Sequence, residues 1–209
     1  MNEPAKKRHA MTSPPPVTHL LYLHGFRSSP QSFKARRIAA WLAAHRPGVV
    51  WHCPQLPPSP EQAMHDVLAH VDAWPRATTG IVGSSLGGFY ARVVAERLGA
   101  QPRAVLLNPA INPARDLAGQ VGEIESWHDG TRLHFRPEDV AALRELGRIA
   151  PTHPERYFAI IAKGDELLDW REMTAGVGPC RVKLLEGGDH ALSDFELHLP
   201  DVLAFLALA

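Results

Sequence analysis

The stretch Gly83-Ser84-Ser85-Leu86-Gly87-Gly88 holds the residue types best suited to covalent chemistry. Residues 77–82 before it end in an apolar run, which reads as a buried strand. Residues 89–98 after it show helical periodicity and stop at Gly99. Strand, tight turn, helix is the setting in which Gly-x-Ser-x-Gly forms a nucleophile elbow. The reason is steric. A serine at the apex takes strained backbone angles, and the residues two before and two after it nearly touch. Gly83 and Gly87 leave that room because they lack Cβ. Ser84 does not fit the apex, since Val82 and Leu86 would flank it. The chemistry implied is acyl transfer through the Ser85 hydroxyl. The Leu86 N–H, at the helix N-terminus, would donate to an oxyanion formed there.

A serine hydroxyl is a weak nucleophile, so it needs a base, and the base needs an orienting group. Both are expected after the serine, at the ends of later strands. The apolar run 157–162 leads into Lys163-Gly164-Asp165-Glu166, which puts Asp165 just past a strand end. The run 181–185 leads into Glu186-Gly187-Gly188-Asp189-His190, which places His190 on a loop that glycine frees to reach inward. Asp165 could instead serve as a turn residue and His190 as a surface histidine. Glu166, Asp169 and Asp189 are rival acids, and His198 lies well past the strand end. The order Ser85, Asp165, His190, each at a strand end, favours those three. The second oxyanion donor is assigned to the backbone N–H of Phe26 in His24-Gly25-Phe26, directly after the first strand. His24 itself is read as a structural side chain. A histidine base also implies activity that falls below about pH 6.5.

The elements that must position these residues follow from the pattern of the chain. Its 209 residues suit one domain with a sizeable core. Hydrophobic residues make up 45% and charged residues 21%, as in an ordinary soluble protein. Lys+Arg and Asp+Glu both number 22, so no global field favours nucleic acid or an anionic membrane. No apolar run approaches the ~20 residues that cross a bilayer. Lys6-Lys7-Arg8 precedes no apolar stretch, so no secretory signal is read there. Two cysteines, Cys53 and Cys180, make no disulfide framework, and a cytoplasmic location is expected. The 12 histidines form no His-x-x-x-His pair, and neither a metal nor a cofactor is expected.

Residues 1–16 end in Pro14-Pro15-Pro16 and read as a mobile tail before a domain over 17–209. Strands are expected at 17–23, 49–53, 77–82, 103–107, 157–162 and 181–185. Helices are expected at 33–45, capped by Ser32, and at 61–74, 89–98, 137–147, 168–174 and from 200 to the end. Alternation of this kind implies an α/β fold, with a parallel sheet covered by helices on both faces. The segment 110–156 breaks the pattern and reads as a small cap over the site. The basic stretch 34–37 suggests phosphate or CoA recognition, but it reads better as the solvated face of a helix.

With these residues in place, the chain resembles the α/β-hydrolase superfamily, and most closely the small bacterial YqiA/YcfP-type esterase family. The matching segments are Leu21-Tyr22-Leu23-His24-Gly25-Phe26 with Ser28-Ser29-Pro30, Gly83 through Ala91 of the elbow, and Asn108-Pro109-Ala110. Gly164-Asp165-Glu166 with Leu168-Asp169-Trp170-Arg171, and Glu186-Gly187-Gly188-Asp189-His190-Ala191, complete the set. The resemblance implies a compact hydrolase fold lacking the first two strands of larger relatives. It also implies esterase activity, extending in some relatives to acyl-CoA-like thioesters. The tail and the segment 110–156 depart from the family pattern. The sequence thus points to a serine hydrolase acting on a small acyl ester or thioester with a short acyl chain. A non-catalytic binding module on the same fold, and amide or peptide hydrolysis by the same triad, remain as alternatives.

Overall fold

Residues 14–127 and 130–209 are described by the computed structural model. The strands are β1 (His19–Leu23), β2 (Val50–His52), β3 (Thr79–Ser84), β4 (Arg103–Leu107), β5 (Gly122–Glu125), β6 (Arg132–Phe135), β7 (Tyr157–Ala162) and β8 (Arg181–Leu185). The helices are α1 (Phe33–His45), α2 (Pro60–Val71), α3 (Leu86–Arg97), α4 (Pro113–Asp116), α5 (Pro137–Leu146), α6 (Trp170–Val177) and α7 (Leu199–Phe205). Six strands form one parallel sheet in the order β2-β1-β3-β4-β7-β8. This is the expected doubly covered α/β sheet.

Alternation along each central strand explains the two layers. Leu21, Leu23, Ile81, Leu106 and Ala159 face one cluster, shared with α2, α3, α5 and α6. Leu20, Tyr22, Val82, Val105 and Phe158 face the other, shared with α1 and α7. A strand buried on both faces shows no polar alternation, which is why these segments read as continuous apolar runs. All strand C-termini lie along one edge of a parallel sheet, so the loops that follow them meet there.

Several boundaries differ from expectation. The chain at Arg76–Thr78 makes a 3₁₀ turn, and β3 runs on to Ser84 instead of stopping at residue 82. Helix α3 starts at Leu86, three residues before its apolar periodicity begins, because the elbow turns straight into the helix. Gly87 and Gly88, poor helix formers, had hidden that first turn. Ser32 stands at the N-cap position of α1, but its side chain makes no cap bond. The last helix is preceded by a 3₁₀ turn at Phe195–Leu197 and carries Pro200 in its first turn, where no N–H is needed.

The segment 110–156 is more ordered than its punctuation suggests. It contains α4, α5 and an antiparallel hairpin, β5 with β6, that sequence reading did not anticipate. The strands of that hairpin are only four residues each, too short for alternation to stand out. The segment's far end is tied to α3. Glu96 accepts hydrogen bonds from Arg156 at 2.5 Å, Tyr157 at 2.5 Å and Thr152 at 2.6 Å. Burial would raise the Glu96 carboxyl pKa, but these donors outweigh it and hold it at about 2. At the other end of the chain, the Pro15 carbonyl accepts from Arg103, so residues beside the sheet are anchored. The rest of the expected mobile tail, residues 1–13, lies outside the described residues.

Candidate active site

Ser85 sits where β3 passes into α3, at φ 57° and ψ −122°. A non-glycine residue holds such angles only when its surroundings impose them. Here the Ser85 N–H donates to Leu107 O at 2.9 Å, and its carbonyl accepts from Ala110 N at 3.1 Å. Both bonds come from the end of β4 and the turn after it. The glycines act as the motif implies. A Cβ on Gly83 would lie 2.0 Å from Gly87 O, and one on Gly87 would lie 1.9 Å from Leu23 O. These obstacles are backbone atoms and cannot swing aside. Gly87→Ala is therefore expected to lower stability by about 3 kcal/mol. A urea unfolding midpoint unchanged by that substitution would contradict the packing described.

Asp165 and His190 arrive from the ends of β7 and β8. His190 Nε2 lies 3.0 Å from Ser85 Oγ, and His190 Nδ1 lies 2.7 Å from Asp165 Oδ2. A carboxylate only accepts, so Nδ1 carries the proton and Nε2 is left to accept from the serine. The Asp165 side chain is fully buried, and His190 is 16% exposed. The second Asp165 oxygen, Oδ1, accepts from Leu167 N at 2.9 Å and Leu168 N at 2.8 Å. The carboxylate is thus held from both sides. The two loops touch: a Cβ on Gly164 would lie 2.3 Å from Gly188 O.

The rival residues have other tasks. Glu166 accepts from the His190 backbone N–H at 3.0 Å. Asp169 caps α6 through Arg171 N, and Asp189 accepts from Ser193 N at 2.9 Å. His198 is engaged with Lys183 and Asp194. His24 is structural in this geometry. Its Nδ1 donates to Gly25 O at 2.9 Å and its Nε2 accepts from Leu56 N at 3.1 Å. Burial lowers its pKa, which suits the neutral ring this pattern needs.

Leu86 and Phe26 both line the cavity beside Ser85. Leu86 opens α3, where backbone N–H groups have no intrahelical acceptor. A Cβ on Gly25 would lie 3.3 Å from Ser85 Cβ, so the loop after β1 runs directly alongside the serine. The Phe26 ring packs edge-on to Phe135 of β6 at 5.3 Å.

Sequence reasoning missed two positioning groups. Asn108 is fully buried at φ 40°, a backbone region that asparagine tolerates better than most residues. Its Oδ1 accepts from Ala162 N at 2.8 Å, and its Nδ2 donates to Asp189 O at 3.0 Å and His190 O at 3.2 Å. It clasps the end of β7 to the histidine loop. Its signal was the Asn-Pro pair, which marked the end of β4 and no more. Lys34 corrects the expected solvated face at 34–37. It is buried, and its ammonium donates to Ala191 O, one residue past the base. Burial brings its pKa down to about 8, against the pull of Asp189 and Asp165. Ala35 is buried as well, and only Arg36 and Arg37 face outward, with Arg37 paired to Glu196.

The cavity over Ser85 has a volume of about 680 Å³ and a mostly apolar lining. The segment 110–156 contributes Ala110, Pro113, Leu117 and Trp127 to its wall. Trp127 N donates to Arg27 O at 2.8 Å, which ties the hairpin to the loop after β1. Among the described residues no cluster of side chains suits a metal ion, and no helix is long and apolar enough to cross a membrane.

Residues 19–207 match the sequence model of a family described as an uncharacterised protein family, UPF0227. Among solved structures, Est1E from Butyrivibrio proteoclasticus with ferulic acid bound is similar. It aligns with TM-score 0.73 and 16% identity over 92% of this chain and 89% of that one. Mouse alpha/beta hydrolase domain-containing protein 10 aligns with TM-score 0.66 and 15% identity over 90% of each chain. One structure from work on LipS and LipT, two metagenome-derived lipolytic enzymes, aligns with TM-score 0.66 and 22% identity over 93% of this chain and 95% of that one.

Proposed function

The chain belongs to the UPF0227 family and has the α/β-hydrolase fold, and from that premise we propose that it is a serine hydrolase cleaving carboxylic esters of short acyl chains. One observation carries the reading: the unbroken run of hydrogen bonds from Asp165 through His190 to Ser85, at 2.7 and 3.0 Å, beside an apolar cavity. Ser85 Oγ attacks the acyl carbon while His190 Nε2 takes its proton. Asp165 holds the ring in the required tautomer and stabilises the imidazolium. The N–H groups of Leu86 and Phe26 receive the oxyanion. The C–O bond to the leaving alcohol then breaks, and His190 returns the proton to that oxygen. Water, deprotonated by the same histidine, releases the acid from the acyl-enzyme.

An apolar cavity of this size suits an acyl chain better than a peptide, and the reading needs no cofactor. The segment 110–156 would act as a cap that sets chain length. Est1E has ferulic acid bound, and LipS and LipT are lipolytic, which lends weight to an ester substrate. A binding module would have no use for a strained serine with an aligned base. Cytoplasmic location and acyl-CoA thioesters remain the extensions of this proposal. The test is a panel of p-nitrophenyl esters from acetate to octanoate against the matching acyl-CoA thioesters and anilides. Turnover of the short esters is expected, with anilides at least about 100-fold slower. Absence of ester turnover across the panel would overturn the reading.

A further inference from the structure

The turn after β1 carries the Phe26 N–H, and its backbone is strained. Ser28 N donates to Gly25 O at 3.2 Å, which makes Phe26 and Arg27 the central residues of that turn. Arg27 stands at φ 60°, in the left-handed region that glycine or asparagine normally supplies at the second central position. A long side chain keeps such an angle only where its surroundings impose it. The β5–β6 hairpin supplies the constraint. Arg27 Nε donates to the carbonyl of Glu125, the last residue of β5, at 2.5 Å. The Arg27 carbonyl accepts from Trp127 N at 2.8 Å, and its guanidinium lies over the Trp127 ring, 5.0 Å from the centre. A cation that donates to a carbonyl and also covers an aromatic face is held more firmly than by one neutral bond. The Phe26 ring meets Phe135 of β6 edge-on at 5.3 Å. Both central residues of the turn are thus held by the cap. The link after β2 holds the flanks, through Leu56 N to His24 Nε2 at 3.1 Å and Gln55 Nε2 to Ser28 O at 3.2 Å.

We propose that Arg27 is a positioning residue: clasped by the hairpin, it keeps the turn in its strained form and so aims the Phe26 N–H at the point where the oxyanion develops. The inference rests on the esterase reading above and adds to it that the cap acts on the chemical step as well as on chain length. The route is through the backbone. If φ at Arg27 relaxes out of the left-handed region, the torsions of Phe26 must take up the change, and these direct its N–H. That N–H makes no backbone hydrogen bond among the described residues, so nothing else in the main chain fixes its aim.

The other donor does not depend on the cap. Leu86 opens α3 directly after Ser85, whose own bonds run to Leu107 and Ala110. Loss of the clasp therefore disturbs one oxyanion donor of the two and leaves the elbow alone. Arg27 also lines the cavity, where a direct contact with substrate is the rival role. Its Nε and the face of its guanidinium are already engaged by Glu125 and Trp127, which favours the turn. The two roles differ in what they change: a positioning residue acts on the transition state, and a binding residue acts on the ground state as well.

The experiment measures kcat and KM for p-nitrophenyl butyrate in the wild type, Arg27→Ala and Arg27→Gly, with inhibition by propyl trifluoromethyl ketone and propyl methyl ketone alongside. The trifluoromethyl ketone takes the Ser85 oxygen at its carbonyl carbon, His190 takes the serine proton, and the carbonyl oxygen becomes an oxyanion. The methyl ketone binds unreacted and reports the ground state. Arg27→Ala loses the clasp, and its kcat is expected to fall about 30-fold with KM within about twofold of the wild type. The trifluoromethyl ketone should weaken by a similar factor, and the methyl ketone should not. Arg27→Gly loses the same contacts but reaches φ 60° without strain, so its kcat should stay within about fivefold of the wild type. An alanine variant within about threefold of the wild type, a glycine variant as slow as the alanine one, or equal weakening of both ketones overturns the proposal. Where the wild type still hydrolyses the ester, those results leave the esterase reading standing. A wild type that hydrolyses no ester takes both down.

Discussion

Ser85→Ala is expected to lower kcat/KM for p-nitrophenyl butyrate by at least about 10⁴-fold, and by up to about 10⁶-fold. The substitution removes the attacking oxygen and little else. The backbone angles of Ser85 are imposed by its bonds to Leu107 and Ala110, which an alanine keeps. What remains is transition-state binding by the Leu86 and Phe26 N–H groups and the cavity wall, worth far less than the covalent route. Kinetics and a urea unfolding curve on the same preparation separate the two effects. Activity should collapse while the unfolding midpoint stays close to that of the wild type. Residual activity within about tenfold of the wild type would assign the chemistry elsewhere.

Asp165→Asn should cost about 10⁴-fold in kcat, by a route that this geometry makes specific. Asp165 Oδ1 accepts from the backbone N–H groups of Leu167 and Leu168. An asparagine must keep its carbonyl oxygen there to satisfy those two donors. Its NH₂ group then faces His190 Nδ1, which sits 2.7 Å from Oδ2 in the wild type. Two donors cannot share that bond, so the ring moves its proton to Nε2. A protonated Nε2 cannot accept from Ser85. The acid therefore fails through the tautomer it imposes, with little displacement of the loop. Combining this change with Ser85→Ala should add almost nothing, because the members of a triad act as one unit.

These expectations rest on residues that were readable in the sequence for a steric reason. Gly-x-Ser-x-Gly can make its turn only with two particular Cβ atoms missing, and the distances at Gly83 and Gly87 are that requirement made visible. The central strands were readable because burial on both faces leaves an apolar run, and β4 and β7 start and stop where those runs do; the edge strand β8 keeps its expected bounds although it is only partly buried. Asp165 and His190 then followed from standing just past such ends. The structure brings both to Ser85 and leaves Glu166, Asp169, Asp189 and His198 to other partners.

What was not readable depends on long-range contacts. Asn108 gains its importance from carbonyls more than 80 residues away, at Asp189 and His190. Lys34 looked like one cation in a solvated run until the loop after β8 folded over it. Ser32 occupied a cap position by sequence, whereas its hydroxyl is buried beside Tyr22. The β5–β6 hairpin owes its place to contacts with the loop after β1, which no local periodicity records.

The claim under all of this is that His190 and Asp165 activate the Ser85 hydroxyl. A fluorophosphonate probe reads that activation directly, since it phosphonylates serines whose proton a base can take. Intact-mass and peptide mapping after brief exposure should find one adduct, on Ser85, with labelling slowed strongly in His190→Ala and absent in Ser85→Ala. An unlabelled wild-type protein, or an adduct on any other residue, would contradict the account.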